Sequence, residues 1–218
     1  NKMKKIMFND KCSLTQAVLE GRKTMTRRIV ALESTLAITW DCETEIDRDI
    51  AIKNYIVGNI KNRYEVGEVV AIAQCYMDID QFHRNGKNAA YFEHLDSMLP
   101  ELKLYPGWGN KMFVRSDLML HHIRITDIKV ERLKDISADD CLKEGVIPFE
   151  HEMPIRAKQV ITRYYPCKDL MDSAKCAGWG RIYNTPQEAF SVLIDKVSGR
   201  GTWESNPYVW VYEFESVD

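Results

Sequence analysis

The segment LEGRKTMTRR, residues 19–28, holds the residue types of this chain that are best suited to chemistry. It contains four cations, two threonines and one acid within ten residues. The amine of Lys23 stands among three guanidinium groups, which disfavour its charged form, and a neutral lysine can act as a base. A threonine hydroxyl is a poor nucleophile until an adjacent base activates it. The segment therefore fits a nucleophilic site in which a lysine accepts the proton of a threonine.

A solvated cationic face is the alternative interpretation of this segment. Gly21 stands where a helix should end, and the helix dipole favours cations near the carboxyl end of a helix. This effect explains Arg22 and Lys23. It does not explain Arg27 and Arg28, because it fades within one turn. The pattern alone leaves both interpretations open.

Glu144 is the second residue in an unusual position. It falls in the last turn of a predicted helix, where a negative charge meets the negative end of the helix dipole. A raised proton affinity at this position would suit a general acid. Alternatively, Glu144 is an exposed glutamate that pairs with a neighbouring lysine such as Lys143 or Lys134.

Backbone geometry sets one condition on a site that combines these residues. In a regular strand over residues 22–28, Lys23 and Thr26 would point to opposite faces of the sheet, so a turn or a bulge must lie between them. Thr24 would also point away from Lys23 in such a strand, so the alternation of faces does not decide whether Thr24 or Thr26 is the reactive hydroxyl.

Three short helices are predicted around these residues by their capping patterns. Each begins with a serine or threonine that is followed three residues later by an acid or an amide, as in a capping box. The pairs are Ser13 with Gln16, Ser137 with Asp140 and Thr185 with Glu188. Gly21 and Gly145 stand where C-cap glycines belong, so the first two helices are only about two turns long.

Three strands are predicted by β-branched and alternating patterns. YEVGEVVAIAQ has a turn at Gly67 and then a strand buried on both faces. In HHIRITDIKVERL the apolar parity changes between Thr126 and Asp127, which indicates a β-bulge. YVWVYEFESV is typical of a closing strand. Short strands, short helices and long connections predict an α+β fold with a small barrel-like sheet. We expect one domain over residues 1–218, with insertions near 31–63, 80–110 and 150–184.

The overall composition limits the classes of partner. Thirty basic residues face 32 acidic ones, so affinity for nucleic acid must come from a local patch. The six cysteines form no CxxC pair, which favours reduced thiols, and we expect neither a metal nor another cofactor. The longest apolar run, VVAIA, is far short of a membrane span, and the start NKMKKIMF lacks the apolar core of a secretory signal. We expect a cytoplasmic protein.

The segment LEGRKTMTRR also resembles the GxKxxxxR signature of ASCH domains, a family of the PUA-like β-barrel superfamily. Gly21, Lys23 and Arg28 carry this match. Further blocks in the same order are similar to the larger phage and bacterial type of ASCH protein: YEVGEVVAIA, GWGNKMFVRSDLM, ITDIKVERLKDISADDCLKEGV and NPYVWVYEFE. The insertions are unmatched. The resemblance implies a barrel with a basic cleft suited to RNA or to a modified nucleoside.

One branch of that family is an amidohydrolase that acts on N4-acetylcytidine. By resemblance to this branch, Lys23 would accept a proton, Thr26 would attack the amide carbonyl and Glu144 would donate a proton to the leaving amine. A cationic set would bind phosphate, with Arg28 alternatively steadying the oxyanion of the intermediate. This set is Arg22, Arg27, Arg28 and Lys111.

Two other functions fit the same residues. The first is a non-catalytic reader of RNA or of a nucleotide, in which the cations grip phosphate and Trp108, Trp179 or Tyr105 stacks on a base. The second is a phage-related protein that binds a protein partner through the acidic segment 41–49 and the aromatic loops.

Overall fold

The computed structural model of the chain describes residues 3–31, 44–85, 104, 106–152, 160–169 and 182–217. In chain order, the strands and helices of these residues are β1 (Lys5–Ile6), α1 (Leu14–Leu19), β2 (Met25–Ile29), α2 (Glu45–Asn59), β3 (Val69–Ile72), α3 (Tyr76–Asn85), β4 (His122–Arg132), α4 (Ala138–Lys143), β5 (Ile147–Glu152), β6 (Val160–Tyr165), α5 (Pro186–Ser198), α6 (Thr202–Ser205) and β7 (Tyr208–Ser216). Parts of all three predicted insertions lie outside the described residues.

Five strands form one mixed sheet in the order β1-β3-β4-β7-β2. The outermost pair, β1 and β3, is parallel, and the other neighbours are antiparallel. Strands β5 and β6 form a separate antiparallel pair. The expected mixture of helices and sheet is confirmed. The expected closure into a barrel is not seen among the described strands, because β1 is only two residues long and pairs with β3 alone.

Strands β4 and β7 form the longest ladder of the sheet, from Ile123 opposite Ser216 to Arg132 opposite Tyr208. The register shifts between Ile125 and Asp127. The β-bulge predicted from the change of apolar parity is therefore confirmed, and it compensates for the odd spacing of apolar residues in β4.

The predicted helix ends are largely confirmed. Thr185 and Glu188 form a complete capping box at the start of α5, and the Ser137 hydroxyl accepts the Asp140 backbone N–H at the start of α4. The capping box predicted at Ser13 is wrong, although α1 follows it. A 3-10 turn over Asp10–Cys12 leads directly into α1 and leaves Ser13 with a φ of 50°. In this conformation its hydroxyl donates to Asp169 Oδ1 at 2.6 Å instead.

The main core lies between the sheet and helices α1, α4 and α5. Helix α4 packs against both α5 and β2. Met25, Phe190 and Leu193 are almost fully buried in this core. A second apolar cluster lies around β3 and α3, with Tyr76 and Ile79 at its centre. The main core is what holds β2 against the carboxyl end of α4.

Candidate active site

The backbone around Lys23 is held by two helix ends. After α1, Gly21 adopts a φ of 71°, and the N–H groups of Arg22 and Lys23 both donate to the Ala17 carbonyl at 2.9 Å. The next N–H, that of Thr24, donates to the carbonyl of Lys143 in the last turn of α4 at 2.9 Å. This connection brings the segment after α1 against the end of α4, more than a hundred residues away in the chain.

Lys23 and Glu144 form a buried ion pair at this junction. The Lys23 amine lies 2.5 Å from the Glu144 carboxylate oxygen Oε2. Its other two hydrogen bonds go to the carbonyl oxygens of Met25 at 2.7 Å and of Glu144 at 2.9 Å. The side chains of Lys23 and Glu144 are only 2% and 6% exposed. The alternative interpretation of Glu144 as an exposed surface acid is therefore wrong, because its carboxylate is buried against a cation from another element.

Burial is the main influence on the Lys23 amine. It lowers the pKa of Lys23, and the nearby Glu144 carboxylate opposes this effect. Arg28 and Arg27 lower the pKa of Lys23 further, but each contributes less than burial does. The disfavoured charge expected for this lysine is thus present, and its principal cause is desolvation rather than the neighbouring guanidinium groups.

Lys23 and Thr26 can face the same cavity because they do not belong to one regular strand. Strand β2 begins at Met25, so Lys23 lies before the strand and the alternation of faces does not apply to it. Thr26 is 5% exposed, and its hydroxyl makes no hydrogen bond to any described side chain or backbone group. Thr24 lies in the connection before β2 and does not line the cavity that Thr26 lines. The structure therefore favours Thr26 over Thr24 as the available hydroxyl.

Lys23, Thr26 and Glu144 line one cavity of about 230 Å³. Its apolar wall includes Phe8, Leu14, Phe190 and Leu193. The cavity reaches the surface, since its lining also includes the exposed residues Ile29 and Ser198. An apolar cavity of roughly 150 Å³ holds a benzene ring, so this volume is sufficient for one heterocyclic ring with a small substituent.

Arg27 also lines this cavity and forms the centre of a charge network at its wall. Its guanidinium lies 3.1 Å from Glu144 Oε1, 2.5 Å from Glu131 Oε1 and 3.1 Å from Asp140 Oδ2. Lys129 approaches the last two carboxylates at 3.2 and 3.7 Å. Lys23 adds a third cation to these three carboxylates, and Lys143 approaches Asp140 at 4.0 Å as a fourth. The Arg27 side chain is fully buried, and its role is to hold the Glu144 carboxylate from the side opposite Lys23.

The other cations of the predicted phosphate-binding set lie in different surroundings. Arg22 pairs with Glu20 at 2.6 Å. Lys111 contacts the carbonyl of Phe8 and pairs with Asp10 at 2.7 Å. Only Arg28 joins Lys23, Thr26 and Glu144 in lining the cavity while making no ion pair with a described carboxylate. The structure thus separates Arg28 from Arg22, Arg27 and Lys111, whose charges are already compensated.

The predicted stacking residues are not part of the described cavity. Trp108 is half-buried and packs against the second apolar cluster. Tyr105, Trp179 and the acidic residues at 41 and 43 lie outside the described residues. Within the described part of the chain, no three cysteine, histidine or acidic side chains are placed to share a metal ion, and no helix is long and apolar enough to cross a membrane.

Sequence reasoning did not identify the residues that support the site. Glu131 and Asp140 hold Arg27, and the Phe8 ring centroid lies 5.9 Å from the Lys23 amine. No local pattern marks these residues as parts of a site, although Asp140 is predicted at the start of its helix, because their contacts with Arg27 and Lys23 form only in the folded chain.

Comparisons of the chain with protein-family models, with curated proteins and with solved structures gave no match. The resemblance to ASCH domains, which depends on short blocks of sequence, therefore stays a prediction.

Proposed function

We propose that this protein is an ASCH-type amidohydrolase that cleaves the exocyclic amide of an acylated nucleobase such as N4-acetylcytosine. The single observation that carries the proposal is the convergence of an amine, a hydroxyl and a carboxylate on one small cavity. The residues are Lys23, Thr26 and Glu144. A buried base, a nucleophile and an acid within one water-accessible site are the components that amide cleavage needs.

The first step requires a neutral amine beside the Thr26 hydroxyl. A proton moves from the Lys23 ammonium to the Glu144 carboxylate across their 2.5 Å contact. Burial of the amine favours this transfer, because it lowers the pKa of Lys23. One proton shift thus prepares both the base and the acid of the reaction.

Amide cleavage then proceeds with all protons accounted for. The Thr26 oxygen attacks the carbonyl carbon of the amide, and its proton passes to the Lys23 amine. The carbon–nitrogen bond breaks, and the leaving amine takes the proton from Glu144. The products of this step are the free exocyclic amine and an acyl ester on Thr26, and the ion pair returns to its starting state.

Water completes the cycle through the same sequence of proton transfers, with water as the nucleophile and the Thr26 oxygen as the leaving group. A second proton shift from Lys23 to Glu144 regenerates the neutral amine, which accepts a proton from the attacking water. The ester bond to Thr26 breaks, and the departing threonine oxygen takes the proton from Glu144. The carboxylic acid is released, and Arg28, at the wall of the cavity, is placed to stabilise the oxyanion in both halves of the reaction.

The test is hydrolysis of N4-acetylcytidine, followed as released cytidine by chromatography. The Thr26→Val variant keeps the shape of the side chain and should lose at least about a thousandfold in rate. Thr24→Val is the matched control, because it removes a neighbouring hydroxyl that does not line the cavity, and it should retain the activity.

Intact-mass analysis of a rapidly quenched reaction should show an acyl adduct on the wild type and none on Thr26→Val. Failure of the wild type to release amine from nucleosides carrying acetyl, formyl and propionyl groups would remove the catalytic proposal. Equal loss of activity in the Thr24 and Thr26 variants would show that the reaction does not use the Thr26 hydroxyl.

A further inference from the structure

A second cavity lies beside the candidate active site. Its volume is also about 230 Å³, and it is lined by Met7, Arg28, Lys61, Arg63, Tyr64, Trp210 and Tyr212. Lys61 and Arg63 come from the connection between α2 and β3, whereas Trp210 and Tyr212 come from β7. Lys23, Thr26 and Glu144 do not line this second cavity.

The cations of this second cavity have no ion-pair partner among the described residues. Arg28, Lys61 and Arg63 line it, no carboxylate does, and none of the three makes an ion pair with a described acid. The Arg28 guanidinium donates to the Met7 carbonyl at 2.5 Å, which leaves further N–H groups of its fork for a ligand. The chain as a whole has a net charge of −2. The second cavity, lined by three cations and no carboxylate, is therefore more positive than the protein surface on average.

Burial makes the uncompensated charge at Arg28 costly. Desolvation is the largest influence on the pKa of Arg28 and lowers it; Tyr64 and Glu144 oppose this effect, and Arg63 adds to it. An anion between Arg28 and Arg63 would offset both effects, since an opposite charge favours the ionised guanidinium. Arg28, which is less exposed than Lys61 and Arg63, would therefore gain more from a bound anion than a fully exposed cation would.

The aromatic walls hold the cations in place and add a hydrogen-bond donor. The Arg63 guanidinium lies 5.7 Å from the Tyr64 ring centroid, and the Tyr64 and Tyr212 rings meet edge to face at 5.2 Å. The Tyr64 hydroxyl donates to the Lys5 carbonyl at 3.0 Å. The Tyr212 hydroxyl accepts the Arg63 backbone N–H at 3.3 Å, so its own proton stays available to an acceptor. Burial raises the pKa of Tyr212, which keeps that proton in place.

The two cavities share a wall. Met7 and Arg28 line both of them. In the ladder between β2 and β7, Thr26 lies opposite Tyr212 and Arg28 lies opposite Trp210. Arg28 and Met7 therefore separate the two cavities, and a ligand with its amide at Thr26 would have to reach past Arg28 to place a second group in the second cavity.

We propose that the second cavity binds a phosphate group of the same ligand, so that the substrate is a nucleotide or a nucleotide within a strand rather than a free nucleoside. Arg28 and Arg63 offer forked N–H groups that match phosphate oxygens, and Lys61 adds a point charge. This inference rests on the proposed function for the identity of the ring in the first cavity, but the phosphate contact itself does not depend on catalysis.

The experiment measures binding by calorimetry for four probes. These are inorganic phosphate, N4-acetylcytidine, N4-acetylcytidine 5′-monophosphate, and a short single-stranded RNA with one N4-acetylcytidine. The test protein is Lys61→Met/Arg63→Met, in which both altered side chains are exposed. The matched control is Arg115→Met/Lys134→Met, which removes the same charge at exposed positions outside both cavities.

We expect wild type to bind at least one phosphate-containing form of acetylcytidine about tenfold or more tightly than the nucleoside. The preference should weaken with added salt, persist in the control and disappear in Lys61→Met/Arg63→Met. Stronger binding of the monophosphate identifies a mononucleotide, whereas stronger binding of the RNA identifies a strand. Equal affinity for nucleoside and nucleotides, or a preference that survives in the test variant, overturns the inference.

Failure of the two proposals can be distinguished. If the nucleotide binds in a manner that requires Lys61 and Arg63 but no acyl group is released, the amidohydrolase proposal fails and the phosphate site stands. If wild type and Lys61→Met/Arg63→Met hydrolyse nucleoside and nucleotide at equal rates, the amidohydrolase proposal stands and the phosphate site is overturned.

Discussion

Replacement of Glu144 by glutamine tests the ion pair on which the proposed reaction depends. Glutamine keeps the shape of the side chain and an oxygen that can accept a hydrogen bond from the Lys23 amine, so the variant removes charge with little change of packing. Arg27 keeps two other carboxylates within 3.1 Å. Lys23, whose side chain is 2% exposed, is left without a counter-ion.

Two arguments set the size of the effect. Removing one partner of a buried ion pair destabilises a protein by about 3–5 kcal/mol. Lys23 can limit this cost by losing its proton, and neutralising a lysine with an ordinary pKa near 10.4 costs about 4.6 kcal/mol at pH 7. We therefore expect Glu144→Gln to lower the free energy of unfolding by about 3–4.6 kcal/mol at pH 7.

The same reasoning gives the direction of the pH dependence. In the variant the pKa of Lys23 lies still further below its unfolded value, so the unfolded state binds more protons than the folded state. Stability then rises with pH until about pH 10.4. At pH 9 the free energy needed to neutralise a lysine falls to about 1.9 kcal/mol, and this value is the most that the variant can lose through Lys23. The difference between the free energies of unfolding of wild type and variant should therefore fall from about 3–4.6 kcal/mol at pH 7 to at most about 1.9 kcal/mol at pH 9.

Urea unfolding of both proteins at pH 7, 8 and 9, followed by tryptophan fluorescence, measures these differences. Lys23→Met/Glu144→Gln is the control, because without the lysine the excess dependence on pH should vanish. A difference below about 1 kcal/mol at pH 7 would refute the argument that Lys23 is a desolvated cation held by Glu144. So would a difference that stays constant up to pH 9.

Three further predictions concern the elements that position the site. Gly145→Ala should destabilise the protein by about 1–3 kcal/mol in urea unfolding, because Gly145 has a φ of 104° and an added Cβ would lie 3.2 Å from Leu14 Cδ2. The control is Gly58→Ala in α2, where φ is not positive and an added Cβ would meet no atom within 4 Å. This control should be neutral or slightly stabilising. Thr185→Ala removes the cap of α5 and should cost about 1 kcal/mol in thermal or urea unfolding, with Thr185→Ser as the conservative control. Arg27→Lys should lower the free energy of unfolding by about 1–3 kcal/mol in urea unfolding, because an ammonium cannot reproduce the guanidinium fork that reaches three carboxylates. A loss below about 0.5 kcal/mol would contradict a stabilising role of this charge network.

Features that follow local rules could be predicted from the sequence. The cap at Thr185 depends on residues within one helical turn, and the bulge near Thr126 follows from the spacing of apolar residues in a single strand. The capping box predicted at Ser13 is wrong, because the conformation of Ser13 is set by the preceding 3-10 turn and its hydroxyl bonds to Asp169. Asp169 lies 156 positions away in the chain, and no local rule includes such a partner.

The candidate site could be predicted only in part. Lys23 and Glu144 are separated by 121 positions, and their association was inferred from a family resemblance rather than from the residues between them. Alternation in β2 alone would put Arg27 on the face opposite Thr26 and Arg28, yet in the folded chain all three residues line the same cavity. Lys61 and Arg63 could not be recognised, because two cations in a surface loop are ordinary until folding places them beside Arg28.

The position of β7 in the sheet has a consequence for the synthesis of the protein. Strand β2, which carries Thr26, pairs with β7, and β7 also separates β2 from β4. During translation, residues 208–216 follow Thr26 by about 180 positions. Until then β2 has no hydrogen-bonded neighbour in this sheet, and the wall formed by Trp210 and Tyr212 does not exist. A chain arrested before β7 would lack the hydrogen-bonded partner of β2, so the candidate site would be complete only once β7 has joined the sheet.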